Sequence, residues 1–181
     1  MGNYRFIDIE NFENAYNERF QDYLNFSKNK QGHEIILMHL GGIIIECYLK
    51  SLIVKRYRVT KKLNNRIWSS EQQINQLNSI DQLSNRQIVE QNLGIQNPSH
   101  DIVKAYKKLE SLENLISSNQ QISMKFENIN NPFGEENGSF INLRYSTKQN
   151  FNNIQQKFNE WEDDFRYVLR FLIEQSNNIE V

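Results

Sequence analysis

Apolar residues concentrate in one long run, His33 to Arg58, within a chain that is otherwise polar. At about 100° per residue its apolar side chains, from Ile35 to Val54, encircle a helix almost completely, which is the pattern of a buried helix. One narrow seam interrupts the circle, because His39, Glu46 and Lys50 follow one another at steps of seven and four and share a face. The pattern predicts a central helix over 33–57, with the rest of the chain arranged to cover it. Residues 9–27 set Ile9, Phe12, Tyr16, Phe20 and Tyr23 at three- and four-residue steps against a polar face. This is an amphipathic helix with a core-facing aromatic stripe. Pro98, Ser99 and Asp101 signal another helix start, and Ile102, Ala105, Leu109, Leu112 and Ile116 continue one face over 99–118. The last helix, 147–176, carries Phe151, Ile154, Phe158, Trp161, Phe165, Val168 and Leu172. Such a seam suits a bundle core or an intermolecular helix pair, and Tyr167 and Phe171 beside it offer a second, self-associating face.

The segments between these helices carry weaker signals. Residues 59–97 read as an insertion between the second and third core helices. Short helices are expected there at Ser70 to Leu77 and Leu83 to Leu93, with Ser69, Ser70 and Ser84 as N-cap candidates and Gly94 as a stop. Residues 120–138 read as irregular, with SMKFENI able to form a short strand before the turn cluster NPFGEENG. Only two prolines and seven glycines argue against a turn-rich β fold. The expectation is one all-α domain spanning 1–181.

Net charge near balance, −1 with a pI near 6.3, excludes a generic polyanion binder and leaves nucleic-acid contact to a local patch. The lone Cys47 excludes an intramolecular disulfide and any cysteine-based zinc site, and fits a reducing cytoplasm. A membrane span through Ile35–Val54 would put Glu46 and Lys50 in hydrocarbon at about 2.5–3.5 kcal/mol each, so no membrane role is expected.

Candidate chemistry is sparse. Gly41-Gly42 lacks phosphate-loop spacing and suits close helix packing; His33, His39 and His100 lack metal-ligand spacing, so no metal or cofactor is implied. Glu46 and Lys50 form either an i,i+4 ion pair or a functional pair. The run KRYRVTKK puts Lys55, Arg56, Arg58, Lys61 and Lys62 around Tyr57. These cations either complement a helix C-terminus or form a phosphate-binding patch.

Three segments together resemble the HEPN family, the higher eukaryote and prokaryote nucleotide-binding domain. HLGGIIIECYLKSLI at 39–53 is similar to the family's central helix, SHDIVKAYKKL at 99–109 to its His-Asp helix start, and LRYS at 143–146 to the Arg-Tyr before its last helix. The resemblance implies an antiparallel four-helix bundle, usually dimeric. Many members are metal-independent ribonucleases with Arg followed four to six residues later by His. Here no histidine occurs beyond His100, and the likeness is closer to the Arg-Tyr branch, often paired with nucleotidyltransferase-like proteins in toxin-antitoxin or defence-type systems. On that likeness Glu46, Lys50, His100, Asp101, Arg144 and Tyr145 line a nucleotide or RNA site, with Lys50 and Arg144 as phosphate donors. Two other readings stay open: a ribonuclease using His100 with Arg144, and an interaction module docking through the Phe151–Leu172 seam.

Overall fold

The computed structural model describes residues 6–7, 10–62, 68–72, 75, 95–147 and 151–179. The chain is mostly helical, as the apolar periodicity predicts, with one very small sheet. Helix α1 (Phe12–Ser27) opens on Asn11, whose side chain accepts from the Asn14 amide at 2.9 Å. Helix α2 (Glu34–Tyr57) is the central apolar run and is covered from both ends of the chain. The two helices run antiparallel: Glu13 meets Lys55, Tyr16 packs edge-on to Tyr48 at 5.0 Å, and Phe26 meets His33 at 5.6 Å.

Helix α2 ends at Tyr57 because Arg58 takes a left-handed conformation, φ 48°, with its amide bonded to the Val54 carbonyl. The chain then enters β2 (Thr60–Lys62), which pairs antiparallel with β1 (Phe6–Ile7) and β3 (Trp68–Ser69). Lys61 and Lys62 therefore belong to a strand, which the reading of 59–97 as an insertion with short helices did not include. Trp68 on β3 is fully buried and packs against Phe12, 5.8 Å between ring centroids. In the remainder of the 59–97 insertion, residues 71, 72 and 75 are helical. The helix expected over 83–93 lies outside the described residues.

Three further expectations are corrected. The helix predicted over 99–118 is two, α3 (Ile102–Tyr106) and α4 (Glu110–Ser117), because Leu109 turns extended and is buried. The segment expected to be irregular or a short strand contains α5 (Gln120–Asn130), capped by the Asn119 side chain and burying Ile122, Phe126 and Ile129 on one face. After turns of 3₁₀ helix at Glu135–Asn137 and Phe140–Tyr145, the last helix, α6, spans Ile154–Ile179 rather than starting at 147. Asn153, at φ 54°, breaks the helical path before α6. Phe151 lies outside α6 and stacks on Phe133 at 3.6 Å.

Phe158, Trp161, Phe165, Val168 and Leu172 of α6 are buried, so the seam serves the chain's own core and does not present a docking face. Tyr167 and Phe171 are half-buried, packed on α5 against Lys125 and Phe126. The glycine step in α2 makes this packing fit. A Cβ on Gly41 would sit 2.3 Å from Trp161, and one on Gly42 would sit 2.2 Å from Phe140. By length and composition α2 would pass for a membrane span, yet 67% of that window is buried against the rest of the chain, as in a core helix.

Candidate functional site

Glu46 and Lys50 sit one turn apart on α2, and both are buried, 4% and 5% exposed. Lys50 Nζ donates to Glu46 Oε1 at 2.6 Å and lies 5.4 Å from the Phe12 ring centre. Across from them, Ser99 adopts φ 56° and its amide donates to Asn97 Oδ1 at 2.9 Å, turning the chain just before α3. That turn delivers His100 to α2: its Nδ1 lies 3.0 Å from Glu46 Oε2 and 3.2 Å from Oε1. A carboxylate that already accepts from Lys50 also accepts from His100, so Nδ1 carries the proton and Nε2 points away from the pair. The imidazole is more than half exposed.

Asp101 caps α3. Its Oδ1 accepts from the Lys104 amide at 2.9 Å and its Oδ2 pairs with Lys104 Nζ at 3.3 Å. Asn130, buried at the end of α5, accepts from the Ile102 amide through Oδ1 at 2.9 Å. This bond locks the end of α5 to the start of α3. A cavity of about 520 Å³ opens here, lined by Ser99, His100, Asp101, Glu127, Asn130 and Glu135 among others. Glu127, Asn130 and Glu135 do not stand out in the sequence, where the residues of α5 suggest an extended piece; an Asn cap with Ile122, Phe126 and Ile129 at helical steps is the signal that identifies the helix.

Arg144 and Tyr145 occupy the last 3₁₀ turn, which is anchored to α2 from its other end. His39 Nδ1 donates to the Phe140 carbonyl at 3.0 Å and the Phe140 ring covers Gly42. Leu143 is buried, while Arg144 is exposed with its guanidinium 4.6 Å from the Tyr145 ring centre, and Tyr145 is 78% exposed. The expected site thus assembles in part. Glu46, Lys50 and His100 are in contact, Asp101 adjoins them, and Arg144 with Tyr145 forms a separate exposed stack that does not line the His100 cavity.

Burial sets Lys50 apart from Arg144, the other expected phosphate donor. Its ammonium is enclosed and bonded to Glu46 and is not presented to solvent as a phosphate donor. The carboxylates of Asp101, Glu127 and Glu135 also repel a phosphate entering the cavity. Cys47, next to Glu46, is a packed thiol: burial, reinforced by the Glu46 charge, pushes its pKa up to about 11. Among the described residues no three of His, Cys, Asp and Glu form a metal-binding group. Of the basic run, Lys55, Arg56 and Arg58 are exposed at the end of α2.

Compared with protein families, curated proteins and solved structures, the chain matches none.

Proposed function

We propose that this chain is a HEPN-like helical bundle that binds a nucleotide or RNA as a cytoplasmic dimer. It acts beside a nucleotidyltransferase-like partner in a toxin-antitoxin or defence-type system, without the family's usual ribonuclease centre. What supports this reading is the contact between His100 and Glu46 at 3.0 Å. It joins two of the three segments that carry the resemblance, the central-helix seam and the His-Asp helix start, across 54 residues of sequence. The third segment, Arg144-Tyr145, offers an exposed cation and an aromatic face, the groups that take a phosphate and a base. Titrating the purified chain with labelled RNA and nucleotides tests the reading, with Arg144→Ala expected to weaken binding about tenfold. Absence of any binding would sink it.

A second reading rests on the same contact. Glu46 fixes the His100 ring with Nε2 outward, the arrangement of a general base oriented by a carboxylate. Ribonuclease action through His100, without Arg144 in the same cavity, predicts that His100→Ala abolishes cleavage of total RNA while leaving Arg144→Ala active. Uncleaved RNA with the unaltered protein removes this reading.

A further inference from the structure

Two cation-bearing segments distant in sequence are joined by one hydrogen bond. Tyr57, in the last turn of α2, donates its hydroxyl to the Lys108 carbonyl at 2.7 Å, laying the end of α2 against the turn that follows α3. The first segment carries Lys55, Arg56 and Arg58; the second carries Lys104, Lys107 and Lys108. Lys55, Arg58 and Lys104 face Glu13 at 3.5 Å, Glu71 at 2.9 Å and Asp101 at 3.3 Å. These pairs are solvent-accessible, hence weak and open to exchange for another anion. Arg56, Lys107 and Lys108 make no ion pair among the described residues.

We propose that this joined surface is a docking track for the phosphodiester backbone of a polynucleotide, an inference that rests on the nucleic-acid reading above. A bound strand must meet several cations; Arg144 supplies one, and neither the enclosed Lys50 nor the acid-lined cavity at His100 supplies the others. The track does. A mononucleotide requires a concave pocket, and these cations line neither the His100 cavity nor the groove between α1 and α6. A protein partner requires an apolar centre within the patch. No large apolar side chain is exposed between residues 55 and 58 or between 104 and 108. Charge on an open, polar surface is what a polynucleotide backbone uses. The cations at the end of α2 also complement its dipole, so the decisive substitutions belong on the second segment.

Fluorescence anisotropy of labelled oligouridine with the full chain, between about 50 and 200 mM salt, tests the track. The unaltered protein is expected to bind with an affinity that falls as salt rises. The double variant Lys107→Glu/Lys108→Glu is expected to bind at least about tenfold more weakly, with the salt slope reduced by about 0.7 for each phosphate no longer neutralised. An unchanged thermal midpoint shows that the variant is folded; should it unfold, Arg56→Gln is carried through the same titration with the same direction expected. Oligothymidine DNA, with equal backbone charge, is expected to bind comparably. Binding by the folded variants equal to the unaltered protein would overturn the track while leaving the RNA reading intact. So would loss of DNA binding alone, or stronger competition by polyglutamate, which would assign the surface to an acidic protein. No binding to either oligonucleotide would overturn both.

Discussion

Lys50 Nζ lies 2.6 Å from Glu46 Oε1 inside the fold, with each side chain only 6% exposed. Removing one partner leaves the other charge buried without its main counter-charge. Lys50→Met is therefore expected to destabilise the protein by about 3–5 kcal/mol, and Glu46→Leu/Lys50→Met to recover most of that loss. Urea denaturation of the single and double variants measures both, and a single-variant loss under about 1 kcal/mol would contradict the buried-pair account.

His100 contributes differently, because its ring is more than half exposed where it meets Glu46. His100→Ala is expected to change stability by less than about 1 kcal/mol, the range of exposed pairs. Thermal unfolding separates this from a structural role, which would require a larger loss.

The glycine step tolerates no side chain. Gly42→Ala gains about 1 kcal/mol of helix propensity, but its Cβ would lie 2.2 Å from the Phe140 ring. Overpacking of this kind costs about 1–3 kcal/mol, so net destabilisation is expected, together with loosening of the turn that carries Arg144. A rise in the urea midpoint would refute this.

Glu162 sets an acid limit to stability. Burial raises its pKa, but hydrogen bonds from Lys30 at 2.6 Å and Arg166 at 3.1 Å outweigh burial and hold it below the usual 4.5. Its contribution is complete above the unfolded value and is lost as pH falls through the lower folded value. Glu162→Gln is expected to be less stable than the unaltered protein at neutral pH, with the gap closing below pH 4.5. A gap independent of pH in urea melts would argue against it.

Cys47 is expected to resist thiol reagents. With a pKa near 11, only about one thiol in a thousand is ionised at pH 8, and the side chain is 8% exposed. Alkylation should therefore await unfolding; rapid labelling of the native chain would show that the thiol is accessible.

The all-α character was legible because α1 and α6 carry apolar residues at helical spacing, as with Phe158, Trp161 and Phe165, and α2 is apolar almost all round. Periodicity failed where backbone conformation decided the outcome. Leu109 keeps its place on the apolar face of 99–118 yet interrupts the helix, and the spacing of apolar residues carries no trace of that extended residue. The sheet was illegible because its strands are two or three residues long, too short for alternation to register. Of the site, the Glu46 and Lys50 ion pair was one of the two readings that i,i+4 spacing allowed. The approach of His100 depends on the left-handed turn at Ser99, and the enclosure of Lys50 on Phe12 is a tertiary fact that local sequence does not encode.

Helix α2 has a consequence for the growing chain. It is apolar on nearly every side, yet α6 begins roughly 100 residues after it ends. At about 5–20 residues per second of synthesis, α2 stays without that cover for about 5–20 seconds. During that interval α1, then α3 and the turn carrying Phe140, can cover their own flanks of α2, while the strip around Gly41 that later receives Trp161 stays open to any other apolar surface. Synthesis, rather than the finished fold, is the stage at which this helix exposes most apolar surface.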